Sequence, residues 1–291
     1  RDQAILRLNT NNEEVLRRQL EASQDRFQVG EITRTAVAQS ESRLAGATAA
    51  RVGAEGDVRA SRAVYEEVVG APPPADLMAP VPLEGLPASL DASVERARSA
   101  NPDVLAADYA QRAAERNVRQ TLGELSPEVF LSARLLAQVR VPLYQAGFVS
   151  SRVREAKQQD SQRRLELEEA RRRAERQAIA SWERLVAARA RITSLESQVA
   201  TSEIALEGVR QENLVGARTV LDVLDAEQEL LNAQVSLVGV QRDEVVASFE
   251  LLSAVGRLTA EELSLGVEVY QPDADYRSVR DSWFGLSVQG E

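Results

Sequence analysis

The stretch Val215-Gly216-Ala217-Arg218-Thr219-Val220-Leu221-Asp222-Val223-Leu224 lies between two long runs of helical sequence, and its reading decides the fold. Upstream, Phe148 to Glu207 is 60 residues without glycine or proline, and the pattern continues past an isolated Gly208 to about Leu214. At 1.5 Å per residue this is a helix of roughly 90–100 Å. A compact globule of this chain length is only about 50 Å across, so the sequence predicts an elongated molecule. Ala178, Leu185, Ile192, Val199 and Leu206 recur every seven residues, and Ser181, Ala188, Leu195 and Ser202 follow the first four at a distance of three. That is a coiled-coil seam with small residues at many positions. Downstream, a second helix is expected from about Thr219 to Val255. Leu224, Leu231, Val238, Val245 and Leu252 form one row on it, and Val223, Leu230, Leu237 and Leu251 an adjacent one, interrupted by Glu244. The apolar stripe is wider than one partner helix requires. Helix, glycine turn and helix make an antiparallel hairpin with its tip near Gly216, and Gly256 ends the second helix.

The plan is repeated. A shift of 186 residues places Val29-Gly30 on Val215-Gly216, Thr33 on Thr219, Val37 on Val223, Glu41 on Glu227, Leu44 on Leu230 and Leu20 on Leu206. A shared turn with matched heptad positions is an internal duplication. The first hairpin has only about 28 residues ahead of its tip, so its upstream part is read as missing. Between the hairpins, Ala71 to Pro87 holds six of the ten prolines and reads as an irregular connector. Ser89 is placed to cap a short helix, Leu90 to Ala100, and Asn101-Pro102-Asp103 to start another that ends near Leu122. Glu128 to Ala133 and Ala137 to Tyr144 are β-branched and aromatic, the only strand material in the sequence. The tail beyond Gly266, with Tyr270, Tyr276, Trp283 and Phe284, is read as packing outside the helices. The expected divisions are therefore 1–70 (first hairpin), 71–88 (connector), 89–123 (shorter helices), 124–146 (residual strand pair), 147–256 (long second hairpin) and 257–291 (tail).

Composition removes much of enzymology. Of 291 residues none is cysteine or histidine, which excludes thiolate nucleophiles, histidine triads, and zinc sites built on thiolate or imidazole. No phosphate-cradling glycine loop or nucleophile elbow occurs, so no enzyme and no cofactor or metal is expected. A net charge of −10 argues against nucleic-acid binding. No stretch of eighteen apolar residues is present to span a bilayer as a helix. The chain opens at Arg1 in polar helical sequence and is read as a processed or truncated piece. The Arg/Glu-rich run from Arg163 to Arg176 reads as a solvated face carrying pairs such as Glu168–Arg172 and Glu169–Arg173.

Leu214-Val-Gly-Ala-Arg-Thr-Val-Leu-Asp-Val-Leu-Asp-Ala-Glu227 resembles the second-repeat tip of the TolC family of outer-membrane efflux proteins. Val29 to Gln39 is similar to the first-repeat tip, Val141 to Gly147 to the strand-to-helix junction, Ala254 to Ala260 to the second-repeat helix end, and Asn101-Pro102-Asp103 to a shorter helix start. The resemblance implies a homotrimer whose hairpins form one α-helical barrel across the periplasm and whose strands join a β-barrel in the outer membrane. It implies partners: a periplasmic adaptor (membrane fusion) protein and an inner-membrane transporter of the RND or ABC type. It implies a passive exit duct for an efflux pump or type I secretion system, carrying small toxic compounds or secreted polypeptide. Both strands and their loop fit between Glu124 and Ala146, whereas a membrane strand needs roughly 9–11 residues, so the β-barrel part is expected to be incomplete. By the same resemblance Arg218 is the gate arginine and Asp222 and Asp225 are constricting ring acids; the plain alternative is that both acids complement the helix dipole. The family's acidic partner for the arginine is replaced by Ala36 and its gate tyrosine by Asn213, leaving Arg218 to find Asp222 or backbone oxygens. Val29, Gly30, Thr33, Val215, Gly216 and Thr219 are expected to dock the adaptor; the plain alternative is a simple glycine turn. Trp182 reads as packing. The competing function is a soluble coiled-coil scaffold without a pore.

Overall fold

The glycine- and proline-free run forms one continuous helix of 67 residues. In chain order the elements are α1 (Asp2–Gln28), α2 (Arg34–Val69), α3 (Leu90–Ala100), α4 (Pro102–Gly123), β1 (Glu128–Ser132), β2 (Leu136–Arg140), α5 (Phe148–Leu214) and α6 (Val220–Ala254). The computed structural model describes residues 1–74, 77, 83, 85–126, 128–132, 136–140, 146–267, 277 and 280. The expected roles of Val141 to Gln145 and of Tyr270, Tyr276, Trp283 and Phe284 lie outside these residues, as do Ala133 and most of the second half of the connector. The fold is mainly α. It divides into two units, Arg1–Leu86 with Ala180–Glu250, and Pro87–Ile179 with Leu251–Glu291.

In the first unit, α1 buries Asn9, Leu16 and Ser23 and α2 buries Ser40, Ala47 and Ala54, each set at seven-residue spacing. Small and hydroxyl side chains at these positions let the two helices approach closely. Ser23 and Ser40 face each other with Oγ atoms 3.2 Å apart, and each also donates to the carbonyl four residues earlier, of Gln19 and Ala36, or shares its proton across the pair. Leu16 and Ala47 join Val220 and Leu224 of α6 in one apolar cluster, with Leu44 against it. Along the second hairpin the ion pairs Arg184–Glu250, Arg189–Glu244 and Arg210–Glu227 run in opposite directions on α5 and α6, as antiparallel helices require. Glu244, which interrupts an apolar row in the sequence, is thus taken up by Arg189.

The stripe on α6 follows the rows read in sequence at its two ends, where Val223, Leu224, Leu251 and Leu252 are buried, and departs from them between. The fully buried row is Ala233, Val240 and Ala247, whereas Leu231, Val238 and Val245 are only half-buried. Val240 and Val238 are the same residue type, so the placement of the neighbouring helices, not side-chain size alone, selects the sealed row. In the charged run, Glu169 pairs with Arg173 as expected, but Glu168 pairs with Arg171, and Arg172 donates to the Glu168 carbonyl.

In the second unit, Ala97, Val104, Leu167, Ala174, Ala178 and Ala254 form the core. Ser89 caps α3, accepting from the Ala92 N–H at 3.1 Å. Asn101 caps α4 through the Asp103 N–H at 2.9 Å and with its amide donates to the Ala254 carbonyl at 2.9 Å, tying the helix start to the end of α6. Gly256 lies beside that joint at φ +74°, where a Cβ would stand 2.2 Å from the Ala100 oxygen. Strands β1 and β2 pair antiparallel, from Glu128 opposite Arg140 to Ser132 opposite Leu136.

Candidate functional site: the paired hairpin tips

The two tips are built from the same bonds at equivalent residues. In the first, Gly30 at φ +81° donates to the Phe27 carbonyl at 3.0 Å and Glu31 to the Arg26 carbonyl at 2.9 Å. In the second, Gly216 at φ +81° donates to Asn213 at 3.0 Å and Ala217 to Glu212 at 2.8 Å. A left-handed residue is needed to close each helix end, and glycine adopts it without steric cost. Thr33 then caps α2, accepting from the Ala36 N–H at 3.3 Å.

Thr219 does more. It accepts from the Asp222 N–H at 3.3 Å, while its own N–H and hydroxyl both donate to Asp222 Oδ2 at 2.8 Å. This is a reciprocal capping box, and Ala36 denies it to the first tip. The two donors from Thr219 hold the Asp222 carboxyl below its ordinary value of 3.8, with Arg218 adding to the effect. Arg218 itself does not take Asp222 as its hydrogen-bond partner. Its Nε donates to Glu212 at 2.8 Å, which raises its already high pKa, and its carbonyl accepts from the Asn213 amide at 2.8 Å. The cap takes Asp222 Oδ2, and Arg218 bonds the acid on α5.

Two arginines of the first hairpin reach the second. Arg26 donates to Asn213 Oδ1 at 3.4 Å, and Arg43 forms an ion pair with Asp225. The structure therefore joins the first hairpin to the second through these two links, and gives Asp225 a partner that sequence reasoning missed. Asn213 is buried at 8% exposure, consistent with a bridge rather than a solvated side chain. The apolar residues flanking the glycines point outward: Val29 is 72% exposed, Leu214 77% and Val215 80%.

Glu227, two turns into α6, is the other residue that sequence reading passed over. It is 6% exposed; Arg210 donates to one carboxylate oxygen at 3.1 Å, and the second oxygen is closed off from solvent and has no hydrogen-bond partner. The signal was the 17-residue separation of Arg210 and Glu227 across the Gly216 turn, which puts an acid and a base at one level of the hairpin. Among the described residues no cluster could hold a metal ion, and no helix is long and apolar enough to cross a membrane.

The molecule is thus built on long antiparallel helices closed by two equivalent glycine tips. The family model for outer membrane efflux proteins matches residues 93–257, and the chain belongs to that family. It is 37% identical over 303 residues to outer membrane efflux protein BepC of Brucella suis biovar 1, covering 97% of this chain and 66% of that protein. It is 27% identical over 260 residues to proteases secretion protein PrtF of Dickeya chrysanthemi, covering 80% and 56%. Among solved structures it shares the fold of CusC, with TM-score 0.75 and 17% identity over 88% of this chain and 65% of that one. It also shares that of the outer membrane protein VceC from Vibrio cholerae, with TM-score 0.72 and 21% identity over 88% and 66%. The chain thus spans less than two-thirds of the length of these curated relatives.

Proposed function

We propose that this chain is the helical part of a passive exit duct seated in the cell outer membrane, with its tunnel in the periplasm, serving a tripartite efflux pump or a type I secretion system. Three copies would close into one barrel, β1 and β2 contributing to the membrane end. The observation that carries this reading is the duplicated tip beside an α6 stripe whose Leu231, Val238 and Val245 stay only half-covered by the chain's own helices. A helix in a closed cylinder needs neighbours on both sides, and a lone hairpin does not.

Arg218, Asp222 and Asp225 are then the gate. Three symmetry-related sets would ring one axis, where carboxylates attract cations and exclude anions. In the closed form Arg43 holds Asp225 and Arg26 holds Asn213, so the tips are fastened without an acid at position 36. Opening frees Asp225. The exposed Val29 and Val215, with Gly30, Thr33, Gly216 and Thr219, form the surface for a periplasmic adaptor, behind which an RND or ABC transporter supplies the energy. The family and relatives named for efflux and secretion support this over a poreless scaffold.

Light scattering on the full-length protein in mild detergent tests the assembly. A mass of three chains is expected; a monomer or dimer would leave the scaffold reading.

A further inference from the structure

We propose that Glu227 is a destabiliser of the packed tip of the second hairpin, a positioning residue that sets how readily α5 and α6 part there. The inference rests on the reading of the tips as a gate for its consequence, but not for its cause. The cause is a carboxylate enclosed between two helices with one oxygen bonded to Arg210 and the other to nothing. A buried acceptor without a donor raises the energy of the state that buries it, and a half-satisfied buried pair is worse than apolar side chains of the same size. When the helices separate, water reaches the orphan oxygen and the penalty disappears. The packed state alone bears it.

Two internal controls make the case specific. The equivalent acid of the first hairpin, Glu41, is exposed and hydrated. The other buried acid of this unit, Glu13, is 7% exposed yet satisfied on both oxygens by Arg17, Thr48 and Arg51. The fold is therefore able to complete a buried carboxylate, and it leaves Glu227 incomplete just beyond Asp225. Arg210, with its side chain 42% exposed, reaches in from the surface to one oxygen and leaves the other without a donor.

The test is amide hydrogen exchange on the full-length protein in detergent, comparing residues 207–228 with residues 21–42 as the internal reference. E227M removes the orphan charge at similar volume and is expected to slow exchange in the second tip about tenfold, leaving the first tip unchanged. E227Q is expected to act in the same direction by less. R210M strands the whole carboxylate and is expected to speed exchange about tenfold, and R210M/E227M to return it to the level of the native protein or below. Exchange in the second tip that is unchanged or faster in both E227M and E227Q overturns the proposal. Single-channel recording of the same proteins separates it from the gate reading. With slowed exchange, a lower open fraction in E227M supports both, whereas an unaltered open fraction sinks the gate at this tip and leaves the destabiliser standing.

Discussion

The tips of the first and second hairpins have the same backbone and different side-chain fastenings. Both close on a left-handed glycine and a capping threonine, 186 residues apart. The first adds an Arg26–Glu31 ion pair and a buried pair of serines, Ser23 and Ser40, at its throat. The second adds a reciprocal cap by Asp222, an Arg218–Glu212 pair and the half-satisfied Glu227. Duplication preserved what the turn geometry demands, and divergence fell on the charges. The first hairpin is built as a post. The second carries groups whose bonding can change, and it is joined to the post through Arg26 and Arg43.

The largest effect that tests this division is on the shared part. Gly30→Ala and Gly216→Ala each force a Cβ into the left-handed region, at a cost of about 1–2 kcal/mol. The two losses should agree within error in urea unfolding, because neither glycine has a neighbour within 4 Å of its Cβ position. A loss confined to one tip would break the equivalence. Next come the caps. Thr219→Ala is expected to cost about 1 kcal/mol and Thr33→Ala about half that, since only the former gives up bonds in both directions. Exchange rates of the first turns of α6 and α2 would read the difference, and equal losses would deny the reciprocal cap.

Ala36→Asp sharpens the comparison by giving the first tip what it lacks. Exchange in the first turn of α2 should slow by a few-fold, worth about 0.5 kcal/mol, and α6 should not change. The smallest effect is that of acid. The folded carboxyl of Asp222 lies below its unfolded value near 3.8, so its contribution is complete above that value and is lost as pH falls through the folded one. Exchange in the second tip, corrected for the intrinsic rate, should therefore rise below about pH 4 while the first cap, which holds no carboxylate, stays constant.

Much of the fold could be read from residues whose local chemistry admits one answer. The run from Phe148 dictates α5, Ser89 and Asn101-Pro102 start α3 and α4 where they stand, and Gly30 and Gly216 locate the turns. Which row is sealed in the middle of α6 was not legible, because Leu231, Val238 and Val245 and Ala233, Val240 and Ala247 repeat with the same period. Only the partner helix chooses between them. The two turns were legible in their positions and not in the side-chain bonds around them. Arg43 and Asp225 are 182 residues apart and nothing local links them. Arg218 had two acids near it in sequence, and only the folded turn shows that Glu212 is the one it bonds. Burial of Glu227 depends on how closely α5 and α6 pack, which no single helix encodes.

Fastening of the second tip to the first is what a gate at this site most needs, and a cysteine pair placed across the link tests it directly. In the full-length protein, Arg43→Cys with Asp225→Cys can be joined by a short thiol-reactive cross-linker and single-channel current recorded before and after its cleavage. A gate at the tips requires little current while the link is intact and a large rise once it is cut. The same current before and after cutting would contradict it.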